Sequence, residues 1–477
     1  MPESLKKKTV KGVAWTSLNQ FLNMGLGFVI GVILARLLSP SDYGLLAMIG
    51  VFNAIAFSFL DSGFGNALVR KPNLTEDDTT TAFYFNLMAG VILFGILWMI
   101  APWVAVFYDK SILTPLVRAE GSLLIVSSFK IVQQTQLTRA LNFRAKMIIR
   151  VVASICGGIT GIIGAYSGLG VWALVAMHIA DSVISLVLLW IISPWRPRGR
   201  WSKTSFRYLW GYGSKLLASG LLDTIYSNIY PIVIGKFYSA ADLGQYTRAK
   251  QYAGMPAGTL TGVIQQVTFP VLSQIQEDDT RLANNYRRML RFTVFIVFPV
   301  MMGMAALAYP LVISLVTDKW AQCVPYLQVI CFASMWYPVH AINLNLLQVK
   351  GRSDLFLRLE IIKKALITVV IFVCVPFGIM GICCGAIFTS LACLAINTYY
   401  TGKLINVGFI RQMKDMTPTL LASLAMGAVV YFAVMLFDNN WVKLAIGIPV
   451  GAAFYLAIAK IFRMPELQEA IDIIHRR

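Results

Sequence analysis

The residues able to do chemistry are charges stranded in apolar runs. Asp61, Arg118, Glu120, Lys130, His178, Asp181, Lys215, Asp223, Arg248 and Lys250 all lie within or at the edge of such runs. An unpaired charge at the centre of a bilayer costs about 3 kcal/mol or more, so these side chains are expected to face one another or a water-filled cavity. Two chemistries follow. The cations Arg118, Lys130, Lys215, Arg248 and Lys250 would hold an anion, replacing the hydrogen bonds it gives up with water. The carboxylates would take a coupling proton or sodium ion. Asp223, near mid-membrane, is the strongest single candidate, and Asp61 is a second. His178 and Asp181, one turn apart, read either as a proton relay or as a structural pair. Asn19, Gln20 and Asn23 share one face of the first helix and serve either interhelical hydrogen bonds or a substrate. No catalytic constellation stands out. There is no Gly-rich phosphate loop and no His–Glu metal motif, and the seven cysteines make no C-x-x-C spacing. Neither enzymatic activity, a cofactor nor a metal is expected.

The elements that position these groups are membrane helices. Of the 477 residues, 57% are hydrophobic and 13% charged, where soluble domains carry roughly 25% charged residues. A spanning helix needs about 20 apolar residues. Fourteen stretches qualify: 12–35, 44–69, 82–107, 114–138, 147–167, 169–193, 208–236, 244–272, 289–316, 322–349, 355–376, 379–405, 416–437 and 441–462. The joints at Ser167 and Gly378 are tight enough that merging across them would give twelve. The net charge of +19 does not point to nucleic acid, because Lys and Arg follow the positive-inside rule. With the N-terminus inside, Lys6–Lys8, Arg70, Lys71, Arg139, Arg144, the cluster Arg196–Arg207, Arg287, Arg288, Lys350, Arg352, Arg411, Lys414 and Arg463 fall on the cytoplasmic side. Little beyond Arg36, Lys110, Lys236, Lys319 and Lys443 remains outside. An odd helix count would break this alternation, so both termini are expected in the cytoplasm. The apolar run after Met1–Lys11 is too long for a cleavable signal peptide.

One corner occurs twice. Arg36–Gly44, R-L-L-S-P-S-D-Y-G, returns at Lys236–Gly244 as K-F-Y-S-A-A-D-L-G. Ser39 with Asp42, and Ser239 with Asp242, have the spacing of a capped helix start. Pro40 suits the first helical position, where its missing N–H costs nothing. A corner repeated at this distance predicts two related halves. The division expected is an N-terminal half at 1–193 and a basic and aromatic linker at 194–207, set among lipid headgroups. A C-terminal half follows at 208–405, then a helix pair at 416–462. The tail at 463–477 carries an amphipathic helix on the inner surface.

The corner L-L-S-P-S-D-Y-G is followed by a long helix ending D-S-G-F-G-N-A-L-V-R-K, Asp61–Lys71. With these motifs the chain resembles the Wzx-type polysaccharide flippases. These belong to the MOP exporter superfamily, with the MATE transporters and the lipid II flippases. The resemblance implies an all-α, polytopic, MATE-like membrane protein of about fourteen helices. It would have two pseudo-symmetric six-helix halves, with the last two helices as the pair that flippases add. It implies a monomer in the bacterial inner membrane that flips undecaprenyl-pyrophosphate-linked oligosaccharide units for O-antigen, capsule or exopolysaccharide assembly. Its partners would be the lipid-linked oligosaccharide, membrane lipids, a polysaccharide polymerase and a chain-length regulator, and not nucleic acid. The five cations then read as a pyrophosphate site in a cavity worked by alternating access, coupled to a proton or sodium gradient. The rivals are a MATE-like cation antiporter, a lipid II flippase and an integral-membrane polysaccharide polymerase. An antiporter would favour acids over cations in its cavity. Lipid II flippases carry basic residues in helix one that are missing here. A polymerase would show a long outer loop.

Overall fold

The computed structural model describes residues 5–61 and 63–475. Among them the secondary structure is helical throughout, without a strand. The chain divides into two compact units, Met1–Gly244 and Gln245–Arg477. The first contains α1 (Leu5–Leu37), α2 (Pro40–Asp61), α3 (Phe64–Arg70), α4 (Glu76–Tyr108), α5 (Leu113–Arg139), α6 (Phe143–Tyr166), α7 (Val171–Ile192), α8 (Lys203–Ser227), α9 (Ile229–Phe237) and the first turn of α10 (Ala240–Ser273). The second holds the rest of α10, then α11 (Asp279–Ala306), α12 (Ala308–Val316), α13 (Cys323–Ser334), α14 (Tyr337–Val349), α15 (Ser353–Cys374), α16 (Gly378–Ile405), α17 (Phe409–Met435), α18 (Asn440–Ile461) and α19 (Pro465–His475).

Each of the fourteen apolar stretches is a helix or a pair of helices. In lipid every backbone group must be satisfied within its own segment, so long apolar runs take up helix. The joints at Ser167 and Gly378 separate distinct helices, and Gly378 turns the chain at φ +76. Among the described residues, nine segments are long and apolar enough to cross a membrane on length and composition alone, one of them running from Asp354 to Ile405 through α15 and α16. The stretches not among them are 114–138, 208–236, 244–272 and 322–349, the last divided between α13 and α14, of 12 and 13 residues. Two interruptions matter for the site. Gly63, at φ +71, breaks the second stretch between α2 and α3, and Asn228 breaks the seventh between α8 and α9. The α6–α7 hairpin closes on small residues. A Cβ on Gly157 or Gly161 would lie 2.9 Å from Asp181 or Met177, so these helices pack backbone to backbone.

Both corners form the predicted caps. Ser39 Oγ accepts from the Asp42 N–H at 3.3 Å, and Asp42 Oδ2 accepts from the Ser39 N–H at 2.9 Å and its hydroxyl at 2.6 Å. Ser239 and Asp242 repeat this at 3.1, 3.3 and 2.7 Å. The two corners also touch. A Cβ on Gly44 would lie 1.7 Å from the Ala240 carbonyl oxygen, and one on Gly244 would lie 1.9 Å from that of Pro40. Lys236 donates to the Phe107 carbonyl at 2.6 Å, placing a cation at the negative end of α4. Ser39→Ala and Ser239→Ala should each lower stability by about 1 kcal/mol, the usual cost of a lost N-cap, read as a drop in thermal midpoint in detergent.

Within the linker, Trp195 differs from the expected place among headgroups. Trp195 is buried against Phe83 and Leu209, and its indole donates to Glu76 Oε2 at 3.2 Å. The N–H groups of Gly199, Arg200 and Ser202 donate to Thr80 Oγ1, Asp77 Oδ1 and Thr81 Oγ1 at 3.1, 2.8 and 2.9 Å. The linker therefore lies along the first turns of α4, whose side chains satisfy its backbone. Trp201, at 48%, and Arg198, Arg200 and Arg207 remain exposed. Beyond the linker, α8 packs on α2, α3 and α4, which is why the first compact unit extends past 193 to Gly244. The tail forms α19. Glu469 and Glu466 hold it on α11 through Arg288 at 2.8 Å and Arg291 at 3.3 Å.

Candidate functional site

A cavity of about 790 Å³ opens in the first unit between α2, α5 and α8. Its lining gathers Asp61 and Ser58 from α2, Gln134 from α5, and Asp223, Thr224 and Ser227 from α8. Asp61 is the last residue of α2, and Asp223 lies one turn before the end of α8. Both acids thus stand where an apolar stretch is interrupted and helical carbonyls lose their intrahelical donors. Gly63 donates its N–H back to the Asp61 carbonyl, and Asn228 Nδ2 donates to that of Thr224 at 2.8 Å. Two helix C-termini and two carboxylates make the cavity electronegative. Gly220 lies across from Ser58; a Cβ there would meet Ser58 Oγ at an ordinary 3.5 Å.

A second polar cluster, buried at Glu120 and more exposed toward Arg150, is formed by α2, α5, α6 and α7. Glu120 of α5 is 3% exposed, with Oε1 3.0 Å from His178 Nδ1 and Oε2 3.5 Å from Asn53 Nδ2. Lys130 donates to Ser182 Oγ at 2.7 Å, and Asp181 lies 3.7 Å from Arg150. His178 and Asp181 therefore turn to different partners, on α5 and α6, rather than to each other. A buried carboxylate holds its site only while its oxygens are matched, so each partner depends on the other. Glu120→Ala should cost about 1–3 kcal/mol by stranding the His178 ring nitrogen. Glu120→Gln should recover part of that loss, and thermal unfolding in detergent separates the two variants.

Against this geometry stand the relatives of the chain. Residues 33–325, more than half of the sequence, match the family described as polysaccharide biosynthesis protein. The chain belongs to that family. Teichuronic acid biosynthesis protein TuaB of Bacillus subtilis is 23% identical over 461 residues, 95% of each chain. Succinoglycan biosynthesis transport protein ExoT of Rhizobium meliloti is 23% identical over 494 residues, covering 100% of this chain and 98% of its own. The lipid II flippase MurJ in an inward closed conformation matches with a TM-score of 0.74 at 14% identity, over 94% of this chain and 98% of that one. That last likeness concerns the fold. The chain is thus a multi-pass membrane protein of the polysaccharide biosynthesis family, with the fold seen in MurJ and in MATE transporters.

None of the other expected site residues is among the described residues that line the acidic cavity. Arg118 is half-buried with its guanidinium 4.5 Å from the Trp98 ring centroid. Arg248 is 3% exposed, stacked 5.1 Å from Trp320 and 5.7 Å from Tyr252, and donates to Gln251 at 3.1 Å. Lys250 is exposed on α10. The side chain of Lys215 lies outside the described residues. Asn23 donates to Asn19 within α1, at 2.7 Å to the carbonyl and 2.6 Å to the side chain, and Gln20 is exposed. Asn53 and Ser182 are partners that reading the sequence missed. The signal for Asn53 was an isolated amide in the run V-F-N-A-I-A-F.

Proposed function

We propose that the protein flips undecaprenyl-pyrophosphate-linked oligosaccharide units across the bacterial inner membrane, by alternating access coupled to a proton or sodium gradient. The observation that carries the coupling is the cavity with Asp61 and Asp223 at two helix interruptions. Interrupted helices are where membrane transporters expose backbone carbonyls to coupling cations. A volume of about 790 Å³ falls in the size range of small-ligand sites. Family membership and relatives that act in teichuronic acid and succinoglycan biosynthesis support a polysaccharide precursor as cargo. The cations Arg118, Lys130, Lys215, Arg248 and Lys250 then take the pyrophosphate. Asp61 and Asp223 take the coupling ion, with His178 and Asp181 as further ion-coupling groups. A polymerase and a chain-length regulator receive the exported units, and both termini face the cytoplasm. The test is complementation in the bacterium that encodes the chain. Wild-type protein restores surface polysaccharide to a deletion strain. The combined Lys130→Gln, Lys215→Gln, Arg248→Gln and Lys250→Gln variant, at equal membrane level, does not. Full export by that variant would remove the cations from the reading.

A second reading has one observation in its favour. The described residues lining the acidic cavity include two carboxylates and no Lys or Arg, the balance expected of a small-cation exporter. Efflux of an organic cation by the purified protein, with no glycan movement, would establish it.

A further inference from the structure

Two cavities of different character lie side by side on the second unit. The first, about 670 Å³, is polar and basic, walled by Arg287, Arg411, Lys414, Asp415 and the backbone at Gly408. The second, about 680 Å³, runs along α17 past Leu421, Ala422 and Ala425 to Ile458 and Phe462 of the α18 region. They share Lys414 and Asp415 and so form one continuous receptacle. Its charge is net positive. Asp415 is held by Arg287 through two bonds of 2.7 and 2.6 Å, and Glu466 faces Arg291 at 3.3 Å, leaving Arg411 and Lys414 to set the sign of the basic end. The rim is apolar and exposed, with Ile410 and Phe462 each 72% exposed. A cationic head pocket continuing into an apolar groove fits an amphiphile with an anionic head and a hydrocarbon tail.

We infer that this receptacle binds an anionic phospholipid of the surrounding membrane, its phosphate at Arg411 and Lys414 and one acyl chain along α17 over Ala422 and Ala425. The groove sets the occupant. From Lys414 to Ala425 it follows about 16 Å of helix, close to the roughly 15 Å of hydrocarbon in one leaflet. That length suits an acyl chain and is far short of an extended eleven-unit polyprenyl tail. The site is separate from the acidic cavity of the first unit, and its occupancy does not depend on which substrate is transported.

The test is native mass spectrometry of the purified full-length protein, titrated with dioleoyl phosphatidylglycerol or dioleoyl phosphatidylcholine. One phosphatidylglycerol should be retained in preference to phosphatidylcholine. The exposed double variant Arg411→Gln/Lys414→Gln should weaken phosphatidylglycerol retention about tenfold or more, each cation near an anionic headgroup contributing roughly fivefold. Lys110→Gln, in an exposed turn of the first unit, should leave retention unchanged. Ala425→Phe, which fills the groove, should weaken both lipids. Equal retention of the two lipids, or no response to Arg411→Gln/Lys414→Gln, overturns the assignment. One-for-one displacement of phosphatidylglycerol by less undecaprenyl phosphate also overturns it, and gives the groove to the polyprenyl carrier.

Discussion

Gly44→Ala and Gly244→Ala are each expected to prevent accumulation of folded protein. A new methyl at either site would sit 1.7 or 1.9 Å from a backbone carbonyl oxygen, of Ala240 or Pro40. No rotamer change relieves such a clash, because both partners are main chain in the first turn of a capped helix. Overpacking of a core typically costs about 1–3 kcal/mol, and a collision with backbone belongs at or above the upper end. Gly50→Ala is the internal control. It lies on the same helix, α2, with nothing within 4 Å of its built Cβ. Replacing a mid-helix glycine there should stabilise by about 0.5–1 kcal/mol. Fluorescence-detected size exclusion and thermal unfolding of the three variants separate the outcomes. A monodisperse Gly44→Ala protein with a wild-type midpoint would refute the backbone crossing.

Asp61→Asn and Asp223→Asn should each abolish most coupled transport while leaving the protein folded. A charge-assisted contact contributes about 1.5–3 kcal/mol, roughly 10- to 150-fold in a coupling equilibrium. Stability should move the other way. Asp61 is the last residue of its helix, against the negative end of the macrodipole, and neutralising it should gain about 0.3–1 kcal/mol. Lost transport with an equal or higher thermal midpoint marks a functional charge. A parallel fall in both would make the two acids structural. Facilitated movement without a gradient should survive better than gradient-driven accumulation, because only the ion step is removed.

The sequence made legible what depends on neighbours a few residues apart. The Ser39–Asp42 and Ser239–Asp242 caps need three residues each, and the structure forms both as read. Apolar run length located the fourteen helical stretches, since bilayer thickness is a fixed ruler. Contacts made across long separations were not legible. The crossing of Gly44 with Ala240, and the convergence of Asp61 and Asp223 on one cavity, join parts of the chain that no periodicity links. One helical turn pairs His178 with Asp181 in the sequence. It is Glu120 of α5, fifty-eight positions away, that meets its ring. Trp195 was misplaced for a related reason. An aromatic residue next to arginines suits a headgroup layer as well as a core, and the choice was made by Glu76 and Phe83.

The most direct test of the account is translocation in proteoliposomes. Purified protein is supplied with an undecaprenyl-pyrophosphate-linked oligosaccharide, and a membrane-impermeant glycan probe reads the opposite leaflet with and without an imposed proton or sodium gradient. Gradient-dependent arrival of the glycan, lost in Asp61→Asn and Asp223→Asn, is the predicted result. No movement of any glycan offered, alongside gradient-driven efflux of a small organic cation, would contradict the flippase account and leave the two acids serving cation export.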